Sequence, residues 1–179
     1  MKKIIALVLA LVLALSAVGA FAEAAPEQVE LNWETVEPTL ADFGLTGDFV
    51  TFEQIAVKLW VPASMTAVEL TQEDIDNGFI AYFLDDDQTA QISVVYVEVS
   101  GMSLEEYAAK LPELGATEIE AVTINGLPAI SYVLEENDCV CIAFATEAGY
   151  ILEVTMAPKS VEGADIAWAI VGSSIMAAE

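Results

Sequence analysis

The chain has 179 residues, of which 29 are acidic and five are basic, so the formal net charge is −24. All five bases are lysines, and there is no histidine. Nucleic-acid binding and adhesion to anionic lipid both need clustered cations, so this composition excludes them. Without histidine, the chain lacks the side chain that most often acts as acid or base at neutral pH. Without arginine, it cannot bind a phosphate through a bidentate guanidinium contact.

The first residues have the pattern of a secretory signal peptide. Lys2 and Lys3 precede an apolar run over residues 4–15, and Ala20-Phe21-Ala22 fits the rule for signal-peptidase cleavage. The run is shorter than the about 20 residues of a spanning helix, and no cysteine follows it to accept lipid. We therefore expect cleavage before Glu23, no stable membrane anchor afterwards, and a protein that is secreted, extracellular or in the cell envelope.

A leading segment, residues 23–48, precedes the first clear strand. Residues 23–30 are small and polar, which predicts a disordered tail. Trp33 then opens a series of apolar residues at helical spacing, but Pro38 restricts it to a short helical turn. Trp33 lies outside the main pattern, so two interpretations stay open: an exposed anchor for a partner, or a side chain docked on the domain.

Strand signals begin at Phe49, and the linkers between strands are short. The predicted strands are residues 49–52, 55–61, 79–84, 91–99, 119–124, 129–134, 140–145 and 151–156. Thr71 has the pattern of a helix cap, the acidic residues 85–88 predict a hairpin loop, and Asn125-Gly126 predicts a tight turn. Short links between successive strands favour antiparallel pairing.

Two helices are predicted among these strands. Ser103-Leu104-Glu105-Glu106 is a capping box that opens the first helix, Pro112 should bend it or end it early, and Gly115 closes it. The second covers residues 161–177, with Ser160 as its cap. Several strands are apolar on both faces, so the sheet needs cover on both sides. The prediction is an α+β fold: an α/β/α sandwich around a mainly antiparallel central sheet, in one domain over residues 49–179.

This order of elements resembles the superfold of the photosystem II extrinsic protein PsbP and the Ran-binding nuclear import factor, which also occurs in bacterial secreted proteins. The resemblance rests on Val61-Pro62 at the end of an early strand, the helix opening at Ser103, the hairpin 124–129, and Ser173-Ser174-Ile175. It implies the fold over residues 49–176, in a superfold whose members mostly bind other proteins or have no assigned activity. It carries over no catalytic motif and no site residue.

Two cysteines, Cys139 and Cys141, stand two apart in a predicted strand. Strand geometry places them on one face, with Cα atoms about 6.5–7 Å apart. A relaxed disulfide prefers about 5.5–6 Å, so a bridge would be strained. We expect two buried free thiols, and no redox or metal role, because a second cysteine pair or a histidine is missing.

The acidic loop Asp85-Asp86-Asp87 is the densest charge in the chain. Carboxylates can ligate Ca²⁺, but residues 73–78 lack the oxygen ligands of a calcium loop, because Ile75 occupies a ligand position. Solvated turns are the expected structure. No catalytic, cofactor-binding or metal residue is assigned, and no cofactor is expected.

Two hypotheses for function follow. The first is a secreted, non-enzymatic module that binds a protein or an envelope component, and that stays monomeric because its charge repels other copies. The second is a small carboxylate-dependent hydrolase or a Ca²⁺-binding protein. A deep pocket with two or more buried carboxylates would favour the second, and dispersed surface acids the first.

Overall fold

The structure is a computed structural model that describes residues 29–97, 101–146 and 149–178, so the predicted cleavage site lies outside the described residues. The strands are β1 (Val29–Leu31), β2 (Gly47–Phe52), β3 (Val57–Pro62), β4 (Met65–Ala67), β5 (Phe79–Asp85), β6 (Gln91–Val97), β7 (Ala116–Ile124), β8 (Leu127–Leu134), β9 (Cys139–Ala145), β10 (Ile151–Ala157) and β11 (Met176–Ala177). The α-helices are α1 (Trp33–Val36), α2 (Gln72–Asp76), α3 (Leu104–Lys110) and α4 (Ala164–Ser173).

The strands form two sheets. The larger has eight strands in the order β1-β7-β8-β9-β10-β6-β5-β4, and the smaller has the order β11-β3-β2. Strand β1 runs parallel to β7, and the other pairs are antiparallel. The predicted α+β class with a mainly antiparallel sheet is confirmed. The small sheet adds to the helices as cover, because β3 is buried along almost its whole length.

Two apolar clusters lie on opposite faces of the large sheet. The first contains Trp33, residues of the small sheet, and Trp168 and Val171 of α4. The second lies beneath α3 and contains Tyr107 and Leu111. The expected cover on both faces is therefore present. Helix α4, the small sheet and α1 cover one face of the large sheet, and α3 covers the other.

Helix α3 forms as its sequence signals predict. The Ser103 hydroxyl accepts from the Glu106 N–H (3.1 Å), and the Glu106 carboxylate accepts from the Ser103 N–H (2.9 Å). These bonds lower the pKa of Glu106. A 3₁₀ turn with Pro112 in its first turn follows, and Gly115 ends it with φ 82°. The α-helix therefore ends early, at Lys110, which is one of the two outcomes predicted for Pro112, and the predicted C-terminal glycine is confirmed.

The predicted last helix is wrong at both ends. Ser160 does not cap it, because its N–H and hydroxyl both donate to the Asp138 carboxylate, at 2.9 and 2.6 Å. Helix α4 starts later, at Ala164, after Gly163 with φ 83°. At its other end the chain leaves the helix after Ser173 and forms β11 against β3.

The leading segment also differs from its prediction. Val29 and Glu30 fell in the predicted tail but belong to β1, which pairs with β7. The predicted helical turn is confirmed as α1, followed by a 3₁₀ segment over Glu37–Phe43. Trp33 is only 6% exposed and packs against Trp60 and Phe49, with ring centroids at 5.9 and 5.3 Å. The exposed-anchor interpretation of Trp33 is therefore wrong.

Candidate binding groove

A groove runs along the large sheet beside α4. Its cavity volume is about 110 Å³, and it opens to solvent. Strands β1, β7, β8 and β9 form its floor, and one side of α4 forms a wall. The lining residues are Val29, Leu31, Glu118, Glu120, Val122, Ser131, Val133, Val140, Ile142, Lys159, Asp165, Trp168, Ala169 and Gly172.

The floor of the groove is apolar because the strands alternate their side chains. Alternate residues of a strand share a face, so Val133 of β8 and Val140 and Ile142 of β9 point into the same space. At the outer edge, Val29 and Leu31 of β1 are only partly buried. Apolar side chains that line a concave surface and remain partly exposed are typical of a ligand-binding site.

Helix α4 lies unusually close to the floor. At Gly172 a Cβ atom would fall 2.4 Å from Cδ1 of Ile142. Glycine therefore permits an approach that a larger residue would prevent. Trp168 is fixed by its indole N–H, which donates to the Pro158 carbonyl at 2.8 Å. This wall is held by packing and by a hydrogen bond, so the groove is preformed.

The mouth of the groove is acidic. Glu118, Glu120 and Asp165 line it, with Glu118 and Glu120 half-buried and Asp165 exposed. Burial, followed by the nearby charge of Glu118, raises the pKa of Glu120. Lys159 also lines the groove, and its ammonium group contacts Glu135 at 2.8 Å and Glu118 at 4.0 Å. A hydrogen bond to Glu135 raises the pKa of Lys159.

Asn125 ties the end of α4, the helix that forms the wall of the groove, to α1 and to the β7–β8 turn. Its Oδ1 accepts from the Trp33 N–H at 2.7 Å, and its Nδ2 donates to the carbonyls of Ser173 and Ile175 at 2.8 and 2.9 Å. It occupies the predicted β7–β8 turn with φ 47°. One side chain thus joins α1, the turn and the end of α4.

A second cluster of polar side chains lies on the opposite face, beneath α3. Tyr132 and Tyr107 both donate to Oε2 of Glu153, and Tyr107 does so at 3.1 Å. Thr155 donates to Oε1 at 3.0 Å. Burial raises the pKa of Tyr107 to about 12, and burial with the Glu153 charge raises the pKa of Tyr132. Three hydroxyls therefore saturate one half-buried carboxylate, which defines the Glu153 cluster.

Both cysteines are free and buried beneath α3, as the sequence predicts. The exposed fractions of Cys139 and Cys141 are 3% and 0%. Their sulfur atoms are 3.7 Å apart, and Cys141 Sγ lies 3.7 Å from Oγ1 of Thr155. The thiols therefore adjoin the Glu153 cluster.

The acidic loop is organised by its own backbone. Asp85 Oδ1 accepts from the N–H groups of Thr89 and Ala90 at 2.6 and 2.9 Å, and Oδ2 accepts from the Thr89 hydroxyl at 2.8 Å. These bonds lower the pKa of Asp85. Asp86 and Asp87 are exposed. Across the described ranges, no group of three or more Asp, Glu or Cys side chains is placed to hold a metal ion.

Glu118 and Glu120 were not predicted from the sequence as site residues. A usable signal exists in Thr117-Glu118-Ile119-Glu120, where period-two alternation places both acids on the face of Val122. Acids on a face that is otherwise apolar indicate the border of a buried surface. Which side of α4 packs toward these acids is decided by contacts between segments far apart in the sequence. No local sequence pattern therefore predicts the groove.

No family model matches the chain, and no curated protein matches it. Among solved structures, it is similar to cyanobacterial PsbP (CyanoP) from Synechocystis sp. PCC 6803, determined in solution. The TM-score is 0.50 at 11% sequence identity, over 73% of this chain and 91% of that chain. The chain therefore has a PsbP-like fold. In the part that the structure describes, no helix is long and apolar enough to cross a membrane.

Proposed function

We propose that this protein is a non-enzymatic binding module of the extracellular space or cell envelope. Its ligand is a segment of a partner protein that carries apolar side chains and a basic group. The groove beside α4 carries this proposal, because it combines an apolar floor with an acidic mouth. The resemblance to a superfold of binding proteins supports the same class of function.

The apolar floor supplies the affinity in this proposal. Full burial of one Val- or Leu-sized side chain is worth about 1.5–3 kcal/mol. Two such side chains over Val29, Leu31 and Val140, the partly exposed apolar residues of the groove, offset part of the cost of ordering the bound segment. This gives binding that is moderate and reversible.

The acidic mouth supplies the specificity. A Lys or Arg of the partner would lie between Glu118, Glu120 and Asp165 and would relieve the unfavourable burial of the Glu120 charge. The overall charge of −24 would also accelerate the approach of a basic partner. An acidic partner would be repelled both by the carboxylates at the mouth of the groove and by the net charge of the protein.

The same carboxylates give little support to a hydrolase. General acid–base catalysis on a glycoside needs two carboxyl groups on either side of the reacting bond. Here the acids lie together at the mouth of the groove, half-buried or exposed, and its deep part is apolar. The arrangement favours binding of a cation over cleavage of a bond.

The location outside the cytoplasm rests on residues 1–22 alone. If the signal peptide is removed as proposed, intact-mass analysis of exported protein gives a chain that starts at Glu23. Retention of Met1 in the exported protein would contradict this part of the proposal.

The binding claim is tested with short capped peptides in which Val alternates with Lys, Glu or Ser. Isothermal titration calorimetry should detect the Lys peptide and give far weaker signals for the other two. Ala169→Phe fills the groove and should abolish binding, whereas Ala109→Phe, at an exposed position of α3, should leave it unchanged.

The acidic mouth is tested by a second pair of variants. Glu120→Gln should weaken the Lys peptide about tenfold, the equivalent of about 1.4 kcal/mol. Glu113→Gln changes an exposed acid elsewhere and serves as the matched control. Equal binding of Lys and Glu peptides, or equal binding by the Ala169→Phe variant, would refute the proposed groove function.

A further inference from the structure

The cysteine pair is a separate chemical feature that the groove does not use. Cys139 begins β9 and Cys141 follows on the same face, beneath α3. The Sγ atoms are 3.7 Å apart, and Cys141 Sγ also contacts the hydroxyl of Thr155. An oxidant such as a small disulfide can therefore join these two thiols without a change in the fold of the sheet.

The two thiols differ in their surroundings. A hydrogen bond from Cys141 lowers the pKa of Cys139, because it stabilises the Cys139 thiolate. The same interaction and deep burial raise the pKa of Cys141. Cys139 also lies at the start of its strand, next to the turn Glu135–Asp138. The thiolate is the reactive species in disulfide exchange, so Cys139 is the expected nucleophile.

The 3.7 Å contact between the two sulfur atoms reverses the expectation, drawn from the sequence, of no redox role. We propose that Cys139 and Cys141 form a reversible dithiol–disulfide couple that exchanges with low-molecular-weight disulfides. The Cys139 thiolate attacks a disulfide RSSR, forms a mixed disulfide and releases one RS⁻. Cys141 loses its proton and attacks Cys139 Sγ, which closes the internal bridge and releases the second RS⁻. Two cysteine thiols are oxidised, and one RSSR is reduced to two RSH.

Strand geometry makes this couple reversible. Residues two apart on a strand have Cα atoms about 6.5–7 Å apart, near the upper limit of 6.8 Å for disulfides. A bridge closed at this distance is strained, and strained disulfides are reduced more readily than structural ones. A bridge between Cys139 and Cys141 therefore forms in an oxidising compartment and opens with mild thiol reductants.

The cover of α3 limits which molecules can react. Tyr107 and Leu111 lie over the thiols in the same apolar cluster, with exposed fractions of 6% and 0%. Reaction then requires a local opening of α3, which admits a small disulfide and keeps out a second protein chain. The expected product is internal, without disulfide-linked dimers.

The experiment uses the folded protein, reduced and then incubated with oxidised glutathione. Intact mass should fall by two hydrogens, and alkylation in denaturant should then find no free thiol. Mild dithiothreitol should restore both thiols. The Cys141→Ser variant should accumulate one glutathione on Cys139, and Cys139→Ser should react at least about tenfold more slowly.

Three results would overturn the proposal: stable glutathione on both cysteines of the unsubstituted protein, disulfide-linked dimers, or no oxidation of the native protein. Should a serine variant fail to fold by circular dichroism, the order is read from the unsubstituted protein instead. Acid quenching of its time course should then trap the glutathione adduct on Cys139, and an adduct found first on Cys141 would equally contradict the mechanism.

Discussion

Substitution of Asn125 tests most sharply how much the hydrogen bonds between α1, the β7–β8 turn and the end of α4 contribute to the free energy of unfolding. It makes three hydrogen bonds to segments that are far apart in sequence, at Trp33, Ser173 and Ile175. Its φ of 47° is left-handed, a conformation that Gly adopts freely. Asn125→Gly therefore removes the three bonds and leaves the backbone of the turn relaxed.

The size of the effect follows from these bonds. At a net 0.5–1.5 kcal/mol for each, the loss is about 3 kcal/mol. For a domain of this size, 1 kcal/mol corresponds to about 2–4 °C, so the Tm should fall by roughly 6–12 °C. Asn125→Asp should cost at least as much, because a carboxylate oxygen would replace the Nδ2 donor and face two carbonyl oxygens.

Urea unfolding followed by circular dichroism measures both variants. Asn77→Asp changes an exposed residue at the end of α2 and should shift the free energy of unfolding by less than about 0.5 kcal/mol. A cost below about 1 kcal/mol for Asn125→Gly would refute the idea that Asn125 ties α1 and the end of α4 to the turn.

Three further predictions concern charged and buried groups. Because the pKa of Glu120 is raised, the folded state binds its proton more tightly than the unfolded state does, and stability from this group is lost as pH rises through that pKa. Glu120→Gln should therefore raise the Tm at pH 7 and have almost no effect below the unfolded pKa of about 4.3, and a lower Tm at pH 7 would contradict this. Millimolar Ca²⁺ should raise the Tm only slightly and no more than Mg²⁺ does, because the Asp85 carboxylate already accepts hydrogen bonds from Thr89 and Ala90 of its own loop. A large, saturable increase in Tm with Ca²⁺ that is lost in Asp85→Ala would instead show a specific calcium site. Tyr132→Phe should cost about 1.5–3 kcal/mol in urea unfolding, since it removes a buried bond to the Glu153 carboxylate, and a cost below about 0.5 kcal/mol would contradict this.

Local signals predicted the elements of the fold well. The predicted helix cap at Thr71 and the predicted capping box at Ser103 both form, and the hairpins at residues 85–88 and 125–126 join the strands expected. These patterns act through neighbouring residues, so a sequence contains all the information they need.

Features that depend on distant contacts were missed or, like the burial of Trp33, left open between two interpretations. Strand β1 exists because β7 offers it a partner, and β4 pairs with β5 over only three residues. Trp33 is buried because the small sheet supplies Trp60 and Phe49 as neighbours. Ser160 looked like a helix cap, but Asp138 in another turn binds it more favourably. Tertiary partners decided each of these cases.

The central claim is that the groove beside α4 binds an apolar segment that carries a basic group. Amide chemical-shift mapping by NMR tests this claim most directly. On titration with the Val–Lys peptide, the largest shifts should fall on residues of β7, β8 and α4 around Glu120, Val133 and Ala169. The side of the protein beneath α3 should remain unperturbed. Shifts that cluster instead around α3 or the loop at Asp85, with the groove unaffected, would contradict the account.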